Sequence, residues 1–561
     1  MTKQLIYPFT FGDMSQKDLL GGKGANLAEM VRIGLPVPPG FTITTQACRE
    51  YLQSGQFPTT LIAEIDGALS DLEKQTGKKF GGVENPLLVS VRSGAKFSMP
   101  GMMETVLNVG MTPEVTESLA ASTGNKRFAW DSYRRFIEMF GKIVCDIEPA
   151  EFHKVQERVA SSVGVADIQL FDVQALKQLC DGFKKVVSLA TGQEFPKDPR
   201  EHLIRSVEAV FKSWNSERAQ MYRRRERIPS DLGTAVNIQS MVFGNLSDDS
   251  GTGVAFTRNP STGEVGRYGD YLQRAQGEDV VAGIRTPVSL IEFAVLSPTV
   301  AQELDDVMEL LEAHYEDLCD IEFTVERGKL WILQTRVGKR TAEAAFRIAL
   351  QFVDEGKISM DEALIRTSGD QLAMLMFPQF DTSGTLNEIA RGIPASPGAA
   401  VGEVVFDSKR AFDLSKSGKK VILVRRETSP DDLVGMVASQ GILTSRGGKT
   451  SHAAVVARGM GKTAVCGTDS ISVDERASLF TAGAITVYEG DVISIDGTTG
   501  AVYLGDVPVV ASSVTSYLEG RLSAQSDEAA PVVKAVDRIL MHADAMRRLK
   551  VHTNADTPED A

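Results

Sequence analysis

The sequence predicts a multidomain protein of mixed α/β and α+β class, and three observations carry that expectation. The chain has 561 residues, whereas single hydrophobic cores rarely grow beyond about 250–300. Its patterning also changes in blocks. Residues 1–110 mix short apolar runs with glycine-rich turns, and 112–230 read as amphipathic helices with few glycines and many charges. Residues 231–340 turn to strands such as TAVNIQSMVFG and CDIEFTVERGKLWILQTR, and 341–371 return to a helical period. Finally, after the Pro/Gly cluster Ile393–Gly398, which reads as a boundary, residues 399–506 form a compact α/β unit. Its short strands (AAVGEVVF, KVILVRR, GILTSRGG, AITVY, DVISIDGTTGAVYLG) surround one apolar helix that starts at His452.

Composition narrows the partners. Hydrophobic content of 42% with 24% charged residues is that of a soluble globular chain. A net charge of −14 argues against nucleic acid as a general partner. The one basic knot, Tyr222–Arg227, reads as a solvated helical face. Cys48, Cys145, Cys180, Cys319 and Cys466 lie far apart without a CxxC pair, which suits a reducing compartment and excludes a zinc framework. No apolar run approaches the roughly 20 residues of a membrane span, and the first residues carry neither a signal nor a transit pattern. The expected location is the cytoplasm, with no membrane partner.

Gly447-Gly448-Lys449-Thr450-Ser451-His452, followed by Ala453–Gly459, is the most informative run. The Ala/Val stretch predicts a helix, with Thr450 or Ser451 available as N-cap. Unpaired N–H groups and the positive dipole end of a helix hold phosphate there. The same field disfavours an imidazolium, leaving a neutral, nucleophilic ring. His452 therefore reads as a phosphoryl carrier. GGKTSHAAVVARGMGK resembles the phosphohistidine motif of the pyruvate phosphate dikinases and their relatives, the pyruvate, water dikinases. Lys449 departs from the methionine usual in that family. Plant members are regulated by phosphorylation of the threonine matching Thr450, although the residue also reads as a helix N-cap.

The resemblance extends through the first half of the chain. Leu20–Leu27 places three glycines around Lys23, ahead of a helix-like ANLAEMVRIG, and the family's phosphate-contacting lysine occupies this motif. Arg92 ends the strand LLVSV in a segment that carries a phosphate-binding arginine in the dikinases. Ser98–Met103 resembles a loop over the nucleotide, and its methionines fit equally as core filler. In Cys319–Val325, alternation puts Ile321, Phe323 and Val325 on one face and Asp320, Glu322 and Thr324 on the other. A returning strand, Leu330–Arg336, makes Glu322 and Gln334 candidate oxygen ligands for Mg²⁺ between ATP phosphates, with Asp320 as a further candidate. Gln239 and Met241 lie on a strand like the one bordering adenine in the family. Glu278 and Arg336 are further nucleotide-site candidates.

Taken together, the resemblance implies an ATP-grasp nucleotide-binding domain over 1–340, with a helical insert near 112–200. It implies a helical linker at 341–392, a swivelling β/β/α phosphohistidine domain at 393–506 and a linker helix within 507–550. Residues 551–561 look like the opening of the family's pyruvate/phosphoenolpyruvate barrel, so the expected object is a chain lacking that C-terminal domain. The implied reaction converts ATP, phosphate and pyruvate to AMP, diphosphate and phosphoenolpyruvate through a phosphohistidine. It uses Mg²⁺, with a monovalent cation as an additional option. Partners are then ATP and inorganic phosphate, with pyruvate and phosphoenolpyruvate reserved for a full-length, homodimeric protein and a monomer expected here. A pyruvate, water dikinase and a non-enzymatic phosphocarrier are the alternatives.

Overall fold

The computed structural model describes residues 4–550 except 98, 100, 278, 280–284, 377–378, 381–385, 511 and 527–528. The chain divides into two compact units. The first comprises residues 1–252, 273–277 and 321–336; the second comprises 253–272, 278–320 and 337–561.

In the first unit, β1 (Ile6–Pro8), α1 (Lys17–Arg32), β2 (Gly40–Ile43), β3 (Val89–Ala95), β4 (Thr105–Val109), α2 (Lys126–Ile143), α3 (Val173–Thr191) and β5 (Thr234–Ser240) surround one apolar core. The strands form an antiparallel sheet in the order β1-β2-β5-β3-β4, with Ser90 opposite Gln239 and Arg92 opposite Asn237. α2 and α3 bury Phe136, Phe140, Leu179 and Phe183 within that core. The glycine–lysine run sits where two helical segments meet, and the ANLAEMVR helix follows from it as expected. It lies inside α1, kinked at Gly21 (φ 67°), and a Cβ there would overlap the Gly94 carbonyl of β3. Glycine is needed both for the positive φ and for that backbone approach. Gly24 is equally constrained, since a Cβ would sit 2.8 Å from Thr42 Oγ1 and 2.9 Å from Asn237 Oδ1.

Further along run β6 (Gly251–Arg258), β7 (Val265–Gln273), β8 (Val288–Ser289), α4 (Pro298–Tyr315), β9 (Cys319–Glu326) and β10 (Lys329–Val337). The region expected to be strands thus contains α4 and a shorter helix, Leu290–Leu296. Their start signals are local: a Ser289/Glu292 capping box and Pro298 in the first turn.

In the second unit, α5 (Ala342–Asp354) precedes β11 (Glu388–Arg391), β12 (Ile393–Ser396), β13 (Ala399–Val405), β14 (Val421–Arg425), β15 (Gly441–Thr444), α6 (His452–Met460), β16 (Thr463–Cys466), β17 (Val492–Asp496), β18 (Ala501–Leu504) and α7 (Pro531–Met546). The sheet order is β11-β18-β17-β13-β14-β15-β16-β12, and β13 to β16 run parallel. The Pro/Gly cluster read as a boundary is itself strand β12, paired with β16. On either side of the sheet segment, α5 and α7 share an apolar cluster through Phe346, Ala349, Val533, Val536 and Ile539. Gln379–Phe380 also pairs antiparallel with Val509–Val510, so the chain enters and leaves the sheet segment through paired strands. Among the described residues no helix is long and apolar enough to cross a membrane.

Candidate functional site

Lys23, Arg92, Glu322 and Arg336 converge in the first unit. Lys23 follows the α1 kink, and its stem lies against Gly94, two residues beyond Arg92 on β3. Arg92 Nη2 donates to Glu322 Oε2 at 3.0 Å, and only 13% of the arginine side chain is exposed. Burial and the charges of Arg92 and Arg336 push the Lys23 ammonium down to about 7, with Glu322 pulling the other way. Burial works to raise the Glu322 carboxyl, but Arg92, Arg336 and Lys23 outweigh it and leave it below its ordinary value. Arg92, Arg336 and Lys23 thus all act on one carboxylate, a basic setting that suits a polyanion.

Gln334 lies on β10 two residues from Arg336, hence on the same strand face. Its Oε1 is buried without a hydrogen-bond partner among the described residues. A buried oxygen acceptor without a partner among the described residues suits a hard cation. Among the described residues no cluster of three or more Asp, Glu, His or Cys side chains could hold a metal. A cation at Glu322 and Gln334 would therefore draw its remaining ligands from water or phosphate. The polar face of β9 is not solvent-facing: Asp320 and Thr324 are both buried. Asp320 acts electrically on Arg458 and on the Cys319 thiol, whereas Glu322 belongs to the Lys23 cluster.

Of the other candidates, Gln239 is buried on β5 and spends its Nε2 on the Pro38 carbonyl at 3.2 Å. The Met241 amide donates to the Leu88 carbonyl at 2.8 Å. Met99 and Met102 are buried. Glu278 lies outside the described residues.

The second constellation follows from the parallel order of β14 and β15. Their carboxyl ends lie side by side, which is where loops of such sheets converge. The loop after β14 delivers Thr428, and the loop after β15 delivers His452 at the first position of α6. Thr428 Oγ1 lies 3.1 Å from His452 Nδ1, while the buried Nε2 has no hydrogen-bond partner among the described residues. Burial lowers the imidazole pKa, against an upward pull from Asp432. The ring is therefore neutral at pH 7, with one nitrogen held and the other unengaged.

Ser451 is the N-cap of α6, its side chain accepting from the Ala454 amide. Thr450 is not the cap. Its amide and hydroxyl both donate to Asp270 Oδ2, at 3.1 and 2.9 Å, and the residue is 5% exposed. Lys449 does not stand free beside His452 either: its ammonium lies 4.1 Å from the Tyr268 ring centroid. Burial lowers the Lys449 pKa, with Asp270 opposing. Arg458 reaches back from α6 to the carbonyls of Ala395 and Lys449, both at 2.7 Å. Sequence reasoning missed Asp270, Asp432 and Arg458. Asp270 sits in GRYGDYLQ, an ordinary alternating strand without a motif, so only the fold singles it out.

Residues 17–57, 52–294 and 291–357 match the family described as pyruvate phosphate dikinase, AMP/ATP-binding domain. Residues 418–500 match the mobile domain of PEP-utilising enzymes. The chain is 49% identical over 559 residues to the pyruvate, phosphate dikinase of Clostridium symbiosum, covering 99% of this chain and 62% of that protein. It is 47% identical over 550 residues to the pyruvate, phosphate dikinase of Giardia intestinalis, covering 97% and 60%. To pyruvate, phosphate dikinase 1, chloroplastic, of Arabidopsis thaliana it is 49% identical over 562 residues, covering 99% and 56%. The chain spans about three fifths of the length of the curated relatives it matches.

Proposed function

The chain belongs to the pyruvate phosphate dikinase family, and from that premise we propose that it transfers a phosphoryl group from ATP to His452, the nucleotide half of the dikinase reaction. The observation that carries this reading is the divided imidazole: Nδ1 held by Thr428, Nε2 buried and unengaged. With Nδ1–H donating to the Thr428 hydroxyl, the lone pair stays on Nε2. The N–P bond then forms between Nε2 and the β-phosphorus as its P–O bond to the α-phosphate breaks, AMP departing with the electron pair. Inorganic phosphate then accepts the γ-phosphoryl group as diphosphate and leaves the β-phosphoryl group on the ring.

Lys23, Arg92 and Arg336 would cradle the polyphosphate, and Arg92 would exchange its Glu322 partner for phosphate oxygens. Glu322 and Gln334 would hold Mg²⁺, with Asp320 a weaker candidate; the ion, when bound, neutralises charge on the phosphates. The strand around Gln239 and Met241 would border the adenine, and Glu278 would contact the nucleotide. Transfer onward to pyruvate is the remaining half of the activity for which the relatives are named. One imidazole cannot serve two distant sites at once, so the 393–506 segment would swing on the stretches near 341–390 and 507–535. A cytoplasmic location and a monovalent cation beside Mg²⁺ complete the reading.

Incubation with β-labelled ATP, Mg²⁺ and phosphate tests it. Label should enter the parent at His452, mapped by mass spectrometry, and be absent from His452→Ala while that variant still binds ATP. Label elsewhere, or none in the parent, refutes the proposal. Dependence of labelling on inorganic phosphate separates this activity from a water-using dikinase.

A further inference from the structure

We infer that Asp432 is a positioning residue for transfer to His452, bracing the turn that brings Thr428 to the ring and setting a carboxylate against the positive charge the ring gains. This rests on the proposed transfer and adds a residue to it. Asp432 lies in the loop after β14 and is 4% exposed. Its Oδ2 accepts from the Ser429 amide at 2.9 Å and from the Ser429 hydroxyl at 3.3 Å, closing a turn on the residue that follows Thr428. The backbone of Asp432 is fixed as well. Ser408 Oγ donates to its carbonyl and accepts from the Gly435 amide, both at 2.9 Å, and a Cβ on Gly435 would overlap Ser408. Asp432 Oδ1 lies 3.4 Å from Arg425 Nε, and Arg425 also pairs with Glu475 at 3.0 Å. Two carboxylates thus draw on one guanidinium. The other charged groups lining the small cavity at His452 are Glu427 and Arg446, which act on each other.

The chemistry explains why a carboxylate belongs there. With Nδ1–H donating to Thr428, formation of the Nε2–P bond leaves substituents on both ring nitrogens. The ring becomes cationic while AMP takes the electron pair of the broken P–O bond, and no proton leaves in this step. Burial opposes that cation, as it opposes the free imidazolium, and Asp432 pulls the other way. A carboxylate fixed in place before the reaction needs no reorganisation when the charge develops. It also holds the proton on Nδ1 once phosphorus is bonded, which keeps the imidazole a good leaving group for the next transfer. Asp432 touches no reacting atom; it acts through Thr428 and through its charge.

Two measurements on the full chain test the inference. The first is the titration of His452, read by nuclear magnetic resonance from the imidazole signal that disappears in His452→Ala. D432N keeps an oxygen for the Ser429 amide but removes the charge, so His452 should titrate at a lower pH than in the parent. R425Q strips Asp432 of its counter-charge and should move the titration upward, a result that a purely structural role would not give. The second is single-turnover labelling by β-labelled ATP with Mg²⁺ and phosphate, with ATP affinity measured separately. D432N should label about tenfold more slowly at unchanged ATP affinity. D432E should recover most of that loss, and D432A, which also releases the turn, should be slower than D432N. A titration unmoved in D432N and R425Q, parental labelling by D432N, or ATP affinity falling in step with the rate would each overturn the inference. A parent that takes no label overturns the transfer itself, while the titration still decides whether Asp432 acts on the ring.

Discussion

The Lys23 cluster and the His452 turn manage charge in opposite ways. Around Lys23, three cations and a carboxylate crowd together, and the strain shows in an ammonium pushed down to about 7 and a carboxyl held below its usual range. Around His452 burial favours the uncharged imidazole, and polar neighbours bind the backbone of the turn before it. One region gathers basic side chains that would suit a polyanion; the other keeps a ring nitrogen unengaged among the described residues. Phosphoryl transfer needs both, because developing charge must be neutralised at the donor while the acceptor stays nucleophilic.

The comparison is broken most severely at Glu322. In E322Q the oxygen pair proposed for Mg²⁺ is impaired and Arg92 loses its ion pair, so His452 labelling should fall by roughly 100-fold. The loss should shrink with rising Mg²⁺ if metal affinity is what suffered, which a Mg²⁺ titration of the labelling rate measures. At the other region, T428V removes the hydrogen bond to Nδ1 and should slow labelling about tenfold, the worth of a bond of roughly 1–1.5 kcal/mol. Nucleotide affinity should not change, as equilibrium binding will show.

The smallest effect sharpens the contrast. Free Lys23 loses its proton near pH 7, while the unfolded chain keeps it up to the ordinary lysine value of about 10.5. Between those values the unfolded state binds the extra proton, so this lysine makes stability rise with pH across that window. A bound triphosphate would raise the ammonium again, and near pH 8 ATP binding should take up close to one proton. Calorimetry in buffers of different ionisation enthalpy reads that uptake, and K23M should abolish it.

How legible each region was depends on its spacing along the chain. The carrier turn occupies consecutive residues, 447 to 459, so its glycines, cap and helix could be read directly. The donor cluster draws on residues 23, 92, 322 and 336, and no local pattern unites them; only resemblance to known dikinases did. Alternation along Cys319–Val325 correctly gave the apolar face, with Ile321 and Phe323 fully buried, but it could not tell that the polar face is covered as well. Thr450 was misassigned as a cap because two adjacent hydroxyl residues satisfy the same rule. Asp270, 180 residues away, takes Thr450 and leaves the cap to Ser451.

What the sequence determined by itself was the local chemistry: where a helix must start, where glycine must admit a backbone, and that one histidine stands at a helix mouth. These follow from short-range sterics and hydrogen bonding, which a dozen residues suffice to specify. Tertiary structure alone decided which carboxylate answers which cation, which hydroxyl meets the imidazole, and that a strand aspartate holds the carrier turn. Those outcomes depend on distances between segments far apart in the chain, set by sheet order and core packing rather than by any neighbouring residue.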